Sequence, residues 1–165
     1  MKIELVAKLE ENRDMLLNLF TNLTEEQIIM APIIGEWTIK DAVGHMAYWE
    51  QVIHDHVRES FAEGRPRPMR DDETDEIVNP REANRRKDWS WQQVRAEFVE
   101  TRRALIAHVE RLSEDDLALG VPSPWWGEKR TYAVGEMIES DAIGHCREHI
   151  EQIKKWQAAL SRNAR

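Results

Sequence analysis

Apolar residues recur along most of this chain at three- and four-residue steps, the period of a helix with one buried face. Ile3, Val6, Leu9, Leu16, Leu19, Phe20 and Leu23 carry that period through residues 3–23. Thr24 followed by Gln27 forms a capping box that opens a short second helix, stopped by Pro32 and Gly35. Thr38 caps a long helix with Asp41 at its third position, and Val43, Met46, Ala47, Val52, Ile53 and Val57 carry it to about Phe61. Residues 64–88 lose the pattern: three prolines and many charges predict a long surface connection, with at most a helical turn after Pro80. A third long helix starts near Ser90, its stripe set by Val94, Phe98, Leu105, Ile106, Val109 and Leu112. Ser113 caps another short turn, residues 120–130 read as a loop, and a fourth helix spans about 131–160.

Four long helices with one long middle connection predict an all-α four-helix bundle. The 64–88 segment is long enough to cross the bundle end, which gives an up-down-down-up order. The 165 residues fit one domain.

The two halves echo each other. Residues 16–28 line up with residues 105–117, and Asp41-Ala42-Val43-Gly44-His45 lines up with Asp141-Ala142-Ile143-Gly144-His145. Two packed hairpins of this kind bring His45 and His145 to related points on facing helices.

His145 and His149 stand four apart on one helix face, with backbones about 6 Å apart. That spacing lets two imidazoles hold one metal ion, and His45 adds a third nitrogen. Three neutral nitrogens leave a coordination position open, as a catalytic site requires. A solvated histidine pair has the same spacing, so spacing alone leaves both readings open. Each ligand ring needs an acceptor for its other N–H, and Glu139 and Glu148 are the nearest in sequence. His56 lies too far along its helix to join the cluster, His54 points to the opposite face, and His108 sits beside an apolar stripe. Cys146 points about 100° away from its histidine neighbour and reads as a small buried residue.

Composition narrows the classes. The net charge of −8 argues against a general nucleic-acid binder, and the arginines at 65, 67, 70, 81, 85 and 86 are interleaved with acids. One cysteine allows no internal disulfide, and no run of about 18 apolar residues predicts a membrane span. The first residues do not read as a signal peptide, so the expected location is cytoplasmic. Seven tryptophans are the unusual feature. Trp37 and Trp49 flank His45, and core packing competes with a pocket role for both. Trp125 and Trp126 stand in a proline-bounded loop, as a pocket lid or a dimer contact.

The run from Pro32 through Trp37-Thr38 and His45 to Trp49-Glu50, with His145-x-x-x-His149-x-x-Gln152, resembles the DinB-like (YfiT-like) metalloprotein signature over nearly the whole chain. The resemblance implies an up-down-down-up bundle, often a homodimer, with a divalent metal, often zinc or nickel, on His45, His145 and His149. It also implies a thiol-dependent transferase, isomerase or related hydrolase acting on small electrophilic molecules, with bacillithiol, mycothiol or glutathione as the low-molecular-weight thiol. A small-molecule binding or stress-protection role without turnover is the alternative. The chain departs from one variant of the signature, carrying Ile150-Glu151-Gln152 where Arg-Gly-Gln follows the last histidine.

Overall fold

A computed structural model describes residues 1–62, 74–123 and 127–163 of the chain. In order, the elements are α1 (Lys2–Leu19), α2 (Glu25–Met30), β1 (Pro32–Ile34), β2 (Trp37–Thr38), α3 (Ile39–Ala62), α4 (Asp75–Arg85), α5 (Trp91–Arg111), α6 (Glu114–Ala118), β3 (Gly120–Ser123), β4 (Gly127–Ala133) and α7 (Val134–Met137). A π-helical segment (Ile138–Gly144) then leads into α8 (His145–Asn163).

The helix starts follow their capping residues. Thr24, Ser90 and Ser113 each accept from the amide three residues on, and Gln27, Gln93 and Asp116 reach back. At the start of α3, the Asp41 carboxylate accepts from the Thr38 amide at 3.0 Å and its hydroxyl at 2.7 Å. Such caps satisfy amides that no helical carbonyl reaches.

The long helices form an up-down-down-up bundle. Lys2 Nζ donates to the Leu112 carbonyl at one end of α1, and Phe20 packs on Trp91 at the other, so α1 and α5 are antiparallel. Glu50 meets Arg102 and His54 meets His108, so α3 and α5 run parallel. Asn12 donates to the Ile143 carbonyl and Gln157 to the Leu19 carbonyl, so α1 and α8 also run parallel.

The core divides into two apolar clusters. One gathers Leu5, Leu9, Ile53, Val57, Leu105, Val109 and Ile143; the other gathers Leu16, Phe20, Met46, Phe98, Cys146 and Ile150. Each fully buried side chain of this size contributes about 1.5–3 kcal/mol. Asn12, Glu50 and Arg102, all buried, lie between the clusters in the order of positions along α1, α3 and α5. The buried face of α1 is Leu5, Leu9, Asn12 and Leu16, whereas Ile3 is 84% exposed. The sequence reading assigned Ile3 to the stripe because apolar character alone marked it. A polar Asn12 that finds a backbone acceptor takes part in the face instead.

Three further expectations change. Part of the 64–88 segment is helix α4, which begins before Pro80 and contains it. Val78 is fully buried and anchors it, and Arg86 at its end is held by Glu82 and Glu97. Gly44 makes room for this packing, because a Cβ there would stand 2.8 Å from Arg86 Cδ. The stretches read as loops before α3 and before the last helix each contain an antiparallel β-hairpin, β1–β2 and β3–β4. Backbone pairing over two to seven residues leaves little hydrophobic pattern to read. The fourth helix starts at Val134 rather than near Thr131, and it widens into the π-helical segment just before His145. The two halves thus share helix, short capped helix, hairpin and helix. Among the described residues, no helix is long and apolar enough to cross a membrane.

Candidate metal centre

His45 projects from α3, and His145 and His149 project one turn apart from α8. Because α3 and α8 run in opposite directions, the three rings meet. His145 Nε2 lies 2.9 Å from His45 Nε2 and 3.0 Å from His149 Nε2. One ligand atom from each residue falls within 4.8 Å of the others.

The protonation of the rings follows from their partners. Trp49 Nε1–H donates to Asn79 Oδ1 at 3.0 Å, and an indole N–H can only donate, so that atom of Asn79 is the oxygen. His45 Nδ1, 3.1 Å from the same oxygen, must therefore be the donor, which leaves Nε2 with its lone pair facing the cluster. His149 Nδ1 and Gln152 Oε1 are both buried, and neither makes a hydrogen bond of good geometry. They lie close enough for Gln152 to oppose, in part, the effect of burial on the imidazole. A proton on that Nδ1 frees His149 Nε2 as well. At most one N–H, on His145, is left for two N···N contacts.

Burial pushes all three imidazoles down, His45 to about 3 and His145 and His149 to about 4. The other imidazoles add to the shift at His45, and His145 adds to it at His149. The rings are neutral at ordinary pH, the form that binds metal. A zinc–nitrogen bond of about 2.0–2.1 Å places two ligand nitrogens about 3.3 Å apart at a tetrahedral angle and about 2.9 Å apart at a right angle. The two spacings to His145 fit imidazoles that share one divalent ion.

The shifts set a pH dependence. A histidine whose pKa is lower folded than unfolded binds fewer protons when folded, so it favours folding above its ordinary value of 6.5 and loses that contribution as pH falls. The stability of metal-free protein should therefore fall as pH drops from 6.5 towards 4 and 3. Urea unfolding at a series of pH values tests this. The fall should be smaller in a His145→Gln variant, and equal slopes in both proteins would refute the assignment.

The sequence-selected tryptophans divide. Trp37 packs edge-on to His45 with centroids 4.8 Å apart. Trp49 is buried, bonded to Asn79, and borders a cavity of about 410 Å³ that opens onto His45 and His145. Asp75, Asp141 and Glu148 also line that cavity. Trp125 and Trp126 lie outside the described residues. The acceptors expected at Glu139 and Glu148 are elsewhere: Glu139 pairs with Lys8, and Glu148 is an exposed residue of the cavity wall. Asn79 and Gln152 stand next to the rings instead. Asn79 comes from α4, inside a segment whose charge pattern marked only a surface connection. Gln152, three residues past His149, was legible as part of the histidine motif but had no role attached.

The remaining histidines stay apart from the cluster. His56 Nε2 donates to the Pro122 carbonyl at 2.8 Å, and His54 packs against His108. Cys146 is buried, and burial pushes its thiol up to about 11, so it is neither a ligand here nor a ready nucleophile.

An up-down-down-up bundle with three imidazoles converging beneath an open cavity defines a class of histidine-cluster helical proteins. Residues 8–153 match the DinB superfamily, and the chain belongs to it. No curated protein sequence matches the chain. Among solved structures it is similar to the colibactin self-resistance protein ClbS in complex with dsDNA, at 17% identity, 95% of each chain covered and a TM-score of 0.76. It is similar to YfiT from Bacillus subtilis, a proposed metal-dependent hydrolase with an unusual four-helix bundle topology, at 19% identity over 97% of this chain and 87% of that one, TM-score 0.73. It is also similar to a mycothiol-dependent maleylpyruvate isomerase, at 12% identity over 93% of this chain and 60% of that one, TM-score 0.74. The ClbS complex corrects the expectation that nucleic acid is excluded, because a protein of this fold is crystallised with double-stranded DNA. Net charge is an average over the whole surface and does not describe any one face.

Proposed function

We propose that the protein is a divalent-metal enzyme in which His45, His145 and His149 hold the ion and a thiol or water attacks a small electrophilic molecule in the adjoining cavity. The observation that carries this reading is the convergence of the Nε2 atoms of three neutral imidazoles beside an accessible cavity that reaches two of them. Zinc or nickel held there would act as a Lewis acid and favour the deprotonated, nucleophilic form of a thiol or water. The chain's own residues set the geometry. Asn79 fixes the tautomer of His45, Gln152 supports His149, and Trp37 and Trp49 restrict the His45 ring.

Zinc- and nickel-loaded protein incubated with electrophile panels, with and without low-molecular-weight thiols, tests the reading. Metal-dependent product formation is expected. Tight binding of electrophiles with no product in any arm would favour a sequestering, protective protein instead. Asn79→Leu removes the acceptor that orients His45 and should weaken zinc binding about 10–100-fold. A chelator-competition titration measures that change, and unchanged affinity would remove Asn79 from the site.

A further inference from the structure

We propose that Asn12 is a positioning residue for the metal centre: by holding the wide turn that precedes His145, it aims His145 and His149 at His45. The inference rests on the proposed function and assigns what sets the direction of two of its ligands. The buried stripe of the last helical stretch runs Val134, Ile138, Ala142, Cys146 and Ile150, always at steps of four. A four-residue step overshoots a 3.6-residue turn by about 40°, so a regular α-helix would carry this stripe about 160° around its axis. The π-helical segment takes back about 100° of that drift, because it adds one residue to a turn. Its register shows at the junction, where the His145 amide reaches the Ser140 carbonyl, five residues back. With Val134 and Ile138 kept in the core, a regular helix would turn α8 by about 100°, and His145 and His149 would no longer face His45.

A π turn is less favourable than an α turn, so contacts from outside the helix must hold it. Helix α1 supplies two of them. Asn12 Nδ2 donates to the carbonyl of Ile143, two residues before His145, at 2.9 Å, and Lys8 pairs with Glu139 at 3.1 Å. Lys8 and Asn12 stand one turn apart on α1, and Glu139 and Ile143 stand four apart on the segment, so α1 splints it along its length. The two ties differ in weight. Lys8 and Glu139 are partly exposed, where an ion pair contributes little. Asn12 is 3% exposed, on the same buried face as Leu5, Leu9 and Leu16, and a buried amide is fixed by the partner it finds. An apolar residue would suit that face as well. What Asn12 adds is a bond to the backbone of the wide turn.

Asn12→Leu keeps the bulk of the side chain and removes the donor, and Asn12→Ala removes both. Val109→Ala, a core truncation on α5, is the control for lost stability alone. Zinc affinity by chelator competition should fall about tenfold or more in both Asn12 variants, as for other groups that orient metal ligands, and stay at the parent value in the control. The cobalt-loaded Asn12 variants should show a changed d–d absorption spectrum, which reports the arrangement of ligands and not the stability of the fold. In metal-free protein, the NMR signals of the His145 and His149 rings should move, while those of His54 and His108 hold. Parent zinc affinity with an unchanged cobalt spectrum in the Asn12 variants overturns the proposal, as does an equal loss of affinity in Val109→Ala. One equivalent of zinc in the parent, with affinity, spectrum and ring signals all indifferent to Asn12, defeats this inference alone. Ring signals that move with Asn12 in a protein that takes up no zinc defeat the metal reading alone.

Discussion

Replacing His149 with alanine is expected to remove bound metal, lowering zinc affinity by about a hundredfold or more. Apparent binding free energies of about 10–16 kcal/mol for four-ligand zinc sites leave a few kcal/mol for each ligand. The two remaining rings cannot make up the loss, since a ligand pair lacks the closed geometry of three nitrogens. Elemental analysis after dialysis against a weak chelator is the measurement. His54→Ala serves as the control, because it alters another histidine of the same bundle away from the cluster. Stoichiometric zinc in the His149→Ala protein would end the three-histidine assignment. The open side of the site also predicts how metal affects folding: removing an ion that braces the bundle would cost much stability, and removing one bound at an accessible cavity would cost less.

The second large effect lies in the core. Glu50→Ala should destabilise the fold by about 3–5 kcal/mol, measured by urea unfolding, because it leaves the buried Arg102 guanidinium without its counter-charge. Arg102 is fully buried and donates to both Glu50 oxygens, at 2.6 and 2.7 Å, and to the Leu9 carbonyl at 2.9 Å. Burial pushes the Glu50 carboxyl up, and the guanidinium opposes that shift. Removing both charges is a different experiment. Glu50→Leu combined with Arg102→Met replaces the pair with apolar bulk and should restore most of the loss. A double variant no more stable than Glu50→Ala would show that the pair does more than neutralise itself.

The position of this pair explains why it escaped the sequence reading. Glu50 and Arg102 each fall on a helix face that is otherwise apolar, and either residue alone reads as a solvated charge. Their partnership spans 52 positions and exists only once α3 and α5 run parallel. Asn79 escaped for a related reason. Its segment carries many charges and a proline, so nothing local marks it as packed, and only the gap at Gly44 and the anchor at Val78 bring α4 over His45.

The carboxylates of the cavity extend the same point. Asp75, Asp141 and Glu148 are unremarkable in sequence, Asp75 in a first turn where an acid suits the helix dipole. The count of a rare residue type pointed to Trp49 and not to the carboxylates that line the same cavity.

The sequence by itself determined the four long helices, the capped starts of the second and third, and the choice of His45, His145 and His149. These rest on short-range physics: the 3.6-residue period, a side chain reaching an amide three residues away, and two imidazoles one turn apart. Only the tertiary structure decided which groups orient those imidazoles, which charges face the cavity, and that an ion pair could sit inside the core. Those outcomes depend on contacts between helices far apart in sequence, where the energy of a polar group is set by the partner it meets after folding.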